Sequence, residues 1–120
     1  MHAEQTLLVL VGNGSDRLMP GLVLRPLGFT VLECACAQEA MALLLQQPLA
    51  AALIDVQTAA MCGLEVLQCF RHHPMHQHTQ AIACTFHATQ EEQAFWHSQG
   101  FDAVLLKPFR SVDLLRLLVH

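Results

Sequence analysis

Three polar side chains in this sequence each close a short apolar run. Asp55 follows Ala50-Ala51-Ala52-Leu53-Ile54, Thr85 follows Ala81-Ile82-Ala83-Cys84, and Lys107 follows Ala103-Val104-Leu105-Leu106. A carboxylate placed at the end of such a run needs an opposite charge to offset its desolvation. Lys107 is the only lysine in the chain, so a general solubility role does not explain it, and an ammonium at a nearby strand end is the partner Asp55 requires. Thr85 adds a hydroxyl between them. The bland alternative is a plain ion pair that fixes the fold, with Thr85 merely closing a turn.

A second group that could do chemistry is His72-His73-Pro74-Met75-His76-Gln77-His78. Imidazoles this dense can take Cu, Ni or Zn, and the segment is expected in an exposed loop. No carboxylate or cysteine within it completes a defined site, so incidental surface histidines are the competing explanation. The five cysteines are an odd count with no C-x-x-C, which excludes a disulfide framework and a zinc ribbon and points to a reducing compartment. Cys84 is expected in the core, whereas Cys34, Cys36 and Cys62 are expected at strand-end loops where a thiol can be reached for redox sensing.

The elements that must position these residues follow from the runs themselves. Thr6 to Val11 is an apolar stretch stopped by Gly12-Asn13-Gly14, which suits a strand buried on both faces. Ser15 or Asp16 can cap a segment reaching about Leu27, which Pro20 and Pro26 should make short or bent. Further strands are expected at Phe29–Cys34, Ala50–Asp55, Ala81–Thr85 and Ala103–Leu106. Helices are expected at Ala37–Gln47, Gly63–His73, Thr89–Gln99 and Ser111–Val119. Strand then helix, repeated five times, implies a doubly wound α/β domain: a five-stranded parallel sheet with helices on both faces and right-handed crossovers. Ligands in such a fold bind at the carboxyl ends of the strands, where Gly12-Asn13, Asp55, Thr85 and Lys107 all stand.

Composition bounds the rest. A chain of 120 residues, 53 % hydrophobic and only 13 % charged, is long enough for one core and too short for two domains. Residues 1–120 are therefore taken as a single domain. The net charge is −4 and the six basic residues are scattered, which excludes a nucleic-acid surface. No apolar run approaches a membrane span and the N-terminus lacks a basic leader region, so a cytoplasmic location is expected.

On these residues the sequence resembles the receiver domains of response regulators over essentially its whole length, from Leu7 to about Leu118. Asp55, Met61, Gly63 and Glu65 match the loop after the family's phosphoacceptor strand, and Thr85 and Lys107-Pro108-Phe109 match its later strand ends. The intervals of 30 residues from Asp55 to Thr85 and 22 from Thr85 to Lys107 are similar too. The resemblance implies a flavodoxin-like strand order 2-1-3-4-5 and a two-component or phosphorelay role. It makes Asp55 the phosphoacceptor, with Thr85 and Lys107 contacting the phosphoryl group, and a histidine kinase or phosphotransfer protein the donor. It also implies Mg²⁺ if that site works, and a homodimer or partner contact through the fourth helix, fifth strand and fifth helix.

The sequence departs from the family where the metal would bind. The positions of its acidic pair read Gly12-Asn13, neither of which carries a charge. Thr58-Ala59 replaces Met-Pro, Cys62 replaces an acid, and the aromatic switch position is Val104. Asp16, the nearest carboxylate, suits a helix cap better than a metal. The expectation is an atypical receiver that acts by protein–protein interaction and is not an enzyme, since no second polar cluster suited to catalysis is visible. A metal- or redox-responsive sensor built on the same fold, using His72, His73, His76 and His78 or the cysteines, is the alternative.

Overall fold

The computed structural model describes residues 6–11, 20–56 and 60–118, with the backbone alone for 60–63, 70 and 111. Five strands, β1 (Thr6–Leu10), β2 (Thr30–Cys34), β3 (Ala51–Asp55), β4 (Gln80–Thr85) and β5 (Ala103–Leu106), form one parallel sheet in the order β2-β1-β3-β4-β5. The helices are α1 (residues 20–24), α2 (Ala37–Leu44), α3 (Ala60–Arg71), α4 (Gln90–Gln99) and α5 (Ser111–Leu118). Among the described residues no helix is long and apolar enough to cross a membrane.

Because side chains alternate across a strand, the sheet divides its apolar residues between two layers. Leu8, Leu10, Ala52, Ile54, Ala81 and Ala83 face α2 and α3, where they meet Ala40, Leu44, Val66 and Leu67. Leu7, Val9, Ala51, Leu53, Ile82, Cys84 and Leu105 face the other way onto Leu24 of α1 and Leu114 of α5. Burial on both faces is why the central strands β1, β3 and β4 are nearly continuous apolar runs, whereas the edge strands β2 and β5 are only partly buried.

Pro26 ends the first helix: α1 passes into a 3-10 turn at Arg25–Leu27 with Pro26 in it, and Gly28 closes the turn at φ 97°, while the start of the helix falls outside the described residues. Its proposed caps Ser15 and Asp16 lie outside the described residues. At α4, Thr89 and Glu92 form a capping box and Gly100 ends the helix in the left-handed region, φ 117°. The structure begins α3 at Ala60 and not at Gly63, because a single glycine is tolerated inside a helix at a cost of about 1 kcal/mol.

The end of α2 corrects two expectations at once. It stops at Leu44 and not at Gln47. In a continuing helix the Leu44 carbonyl would accept from residue 48, but Pro48 has no N–H. His76 takes that place: its Nε2 donates to the Leu44 carbonyl, its Nδ1 lies 3.2 Å from Thr79 Oγ1, and that hydroxyl donates to the Leu49 carbonyl at 2.9 Å. His76 is therefore fully buried, not part of an exposed metal-binding loop.

Candidate functional site

The register of β3, β4 and β5 sets the site. Asp55 pairs with Cys84 and Thr85 with Leu106, so Asp55, Thr85 and Lys107 gather at the carboxyl edge of three adjacent strands. The backbone N–H of Lys107 donates to the Thr85 carbonyl at 2.8 Å and fixes where its side chain begins. From β5 to β3 is two strand spacings, roughly 10 Å, a gap that only a long side chain bridges. Lys107 does so: Nζ lies 2.7 Å from Asp55 Oδ2. Asp55 is completely buried and Lys107 is 8 % exposed, so the pair expected from the sequence is present and largely withdrawn from water.

Thr85 is brought to the same edge, but its hydroxyl bonds within its own turn. It donates to the His87 carbonyl at 3.1 Å and accepts from the His87 N–H at 3.4 Å. Between them stands Phe86, whose ring centroid is 4.5 Å from Lys107 Nζ. Sequence reasoning passed over Phe86. Its signal was an aromatic residue directly after a strand-end threonine, and nothing local indicates that its ring reaches the neighbouring strand's lysine.

Gly12 and Asn13, which the resemblance sets at the positions of the acidic pair, lie outside the described residues, as do Thr58 and Ala59; the side chains of Met61 and Cys62 do too. Val104 is half-buried and packs against the layer that contains Val66, Leu67 and Phe101, so it is not an outward residue. Among the described residues, the large apolar side chains exposed on α4, β5 and α5 are Phe95, Leu106 and Val112.

The histidine segment does not assemble. His72 Nδ1 is 2.7 Å from the Gln68 carbonyl, His73 Nδ1 accepts from the Met75 N–H, and His76 is buried as described. Among the described residues no group of three or more His, Cys, Asp or Glu side chains could hold a metal ion. Of the cysteines expected to be accessible, Cys36 is exposed but Cys34 is 1 % exposed, because it ends β2 with its side chain turned into the core. Cys84 is buried, as expected.

A second polar cluster, at the opposite edge of the sheet, was not foreseen. Arg71 at the end of α3 donates to the carbonyls of Gly100 and Thr79 and to Asp102, whose Oδ2 also accepts from the Ala81 N–H at 2.8 Å. These residues, with Gln77, His78 and Gln80, line an open cleft of about 460 Å³. The guanidinium here ties α3, β4 and the turn before β5 together.

Comparison with known proteins agrees with this architecture. Residues 17–119 match the response regulator receiver domain family, and the chain belongs to it. It is similar to the chemotaxis protein CheY4 of Vibrio cholerae, with 25 % identity, a TM-score of 0.86 and 94 % of each chain covered. It is also similar to the receiver domain of the sensor histidine kinase PA1611 from Pseudomonas aeruginosa, with 25 % identity, a TM-score of 0.82 and 95 % and 93 % of the two chains covered; that structure has a magnesium ion coordinated in its active-site cleft. A protein of Leptolyngbya boryana, described as an uncharacterized 14.6 kDa protein in the sodA1 3′ region, is 29 % identical over 96 % of this chain and 88 % of its own length. The chain is thus a receiver domain of two-component signalling.

Proposed function

We propose that this receiver domain is an atypical one, in which Asp55 occupies the phosphoacceptor position but Mg²⁺-dependent phosphorylation is weak or absent. The observation that carries this reading is the buried pair: Asp55 Oδ2 is already neutralised by Lys107 at 2.7 Å. Mg²⁺ is a hard dication that prefers several oxygen ligands in octahedral geometry. Asp55 brings one carboxylate, Gly12 brings no side chain and Asn13 brings no charge, so this donor set does not fit the ion.

The domain then acts by binding other proteins in the cytoplasm, not as an enzyme. Phe95, Leu106 and Val112 support self-association or partner binding through α4, β5 and α5, since each of these elements leaves a large apolar side chain exposed on a domain with few charges. A histidine kinase or phosphotransfer protein is the partner for whatever phosphorylation does occur, with Thr85 and Lys107 as the phosphoryl contacts.

The test is a Mg²⁺ titration, alone and with beryllofluoride as an aspartyl-phosphate mimic, following the amide resonances of Asp55, Thr85 and Lys107. The expected result is little response at physiological Mg²⁺ in the natural sequence and clear binding in Gly12→Asp/Asn13→Asp. Tight Mg²⁺ binding by the unmodified domain overturns the reading.

A further inference from the structure

Resting on the reading of Asp55 and Lys107 as a closed pair, we propose that Phe86 is the lid of that pair: a positioning residue whose ring holds the Lys107 ammonium on Asp55, so that an oxyanion must displace the ring to reach it. Phe86 is 52 % exposed, an expensive place for a phenyl ring unless it covers something. Its centroid lies 4.5 Å from Lys107 Nζ, inside the range over which an ammonium is drawn to the negative face of a ring. The residues flanking Lys107, Leu106 and Pro108, are both exposed, whereas Lys107 is only 8 % exposed. Its side chain is therefore turned away from the surface its neighbours occupy, toward Asp55 and the Phe86 ring.

The placement of the ring is built into the turn. Thr85 Oγ1 bonds both the carbonyl and the N–H of His87, which pins the backbone on either side of Phe86. The ammonium is thus approached by Asp55 Oδ2 at 2.7 Å and by the Phe86 face at 4.5 Å. A tetrahedral oxyanion such as a phosphoryl group would need the same ammonium, and the ring competes with it for that approach.

Because Lys107 is the chain's only lysine, protein labelled with ¹⁵N-lysine gives a single side-chain ammonium resonance. Its hydrogen-exchange rate reads how well the group is covered. Phe86→Ala is expected to raise that rate about tenfold, the scale of a desolvated cation–π contact. Phe86→Leu keeps apolar bulk but removes the ring face, and is expected to raise the rate several-fold; Phe86→Tyr keeps the face and should restore the original rate. Phe86 is half exposed, so these variants are expected to fold, and their amide spectra check it. An unchanged rate in Phe86→Ala, or a Leu variant as slow as the natural protein, overturns the proposal. Beryllofluoride with Mg²⁺ on the natural sequence tests the underlying reading separately, since ammonium exchange is measured without either.

Discussion

Neutralising Asp55 should destabilise this domain, and the sign of that effect is diagnostic. Where several carboxylates crowd a metal site, removing one relieves like-charge repulsion and the fold gains stability. Here Asp55 faces a cation at 2.7 Å, and the proposed reading puts the uncharged Gly12 and Asn13 where the acidic pair would stand. At that distance and an effective dielectric of about 20, the attraction is roughly 6 kcal/mol, most of it offset by the several kcal/mol that each ion loses on leaving water. The intact pair is thus worth little net, but removing one partner leaves an uncompensated charge, which costs about 3–5 kcal/mol. Lys107→Met should reach the upper part of that range, because Asp55 is completely buried and its short side chain has no route to solvent. Asp55→Asn should cost less, about 2–3 kcal/mol, since a lysine stem can carry its ammonium outward.

Urea unfolding of the natural protein, the two single variants and Asp55→Asn/Lys107→Met completes the cycle, with equal m-values checking that the folded states are comparable. The double variant should recover part of the loss, giving a coupling energy of about 2 kcal/mol. Stabilisation by Asp55→Asn, or a coupling below about 0.5 kcal/mol, refutes the electrostatic argument.

Two further outcomes follow from other faces of the molecule. If the domain self-associates through α4, β5 and α5, Leu106→Lys should shift sedimentation to the monomer, because it puts a charge into buried apolar contact; Val104→Lys is the poorer probe, since Val104 packs inward and its loss would unfold before it dissociates. A monomer in the natural protein, or an assembly that Leu106→Lys leaves intact, removes the contact. Asp113 accepts from the Arg110 N–H at 2.9 Å, and this bond, then the Arg110 side chain and the charges of Arg110 and Arg116, holds its carboxyl below the ordinary aspartate range. A depressed carboxyl stabilises the fold fully above its unfolded value and loses that contribution as pH falls through the native one. Asp113→Asn should therefore lower the melting temperature slightly at neutral pH and not in strong acid, and equal effects at both would contradict the assignment.

The central strands were legible because each is an apolar run bounded by turn residues, and burial on both faces leaves such a run no other place; the edge strands β2 and β5, only partly buried, were legible from their place between turn residues and helices. The pair at the carboxyl edge was legible for a similar reason: a lone lysine and an aspartate, each closing an apolar run, have few ways to satisfy one another's desolvation. His76 was not. Its burial depends on Pro48, remote in sequence, leaving the Leu44 carbonyl without its helical donor, and no local pattern around the histidines carries that information. Phe86 escaped for the same physical reason, since its contact crosses from the end of β4 to the end of β5.

What these non-local contacts share is that they tie separate elements at a strand or helix end. Asp55 and Lys107 join β3 to β5 across the end of β4, while Thr85 and Phe86 fix the turn that leads into α4. A ligand that binds Lys107 must therefore replace a contact of the fold, and can shift the domain only by the difference between its affinities for the closed and opened arrangements. The energy held in the pair and the ring sets that threshold. On the reading proposed above, in which Gly12 and Asn13 bring no carboxylate to hold Mg²⁺, an oxyanion lacks the counter-charge that would help it meet the threshold, and a partner on α4, β5 and α5 would not have to meet it at all.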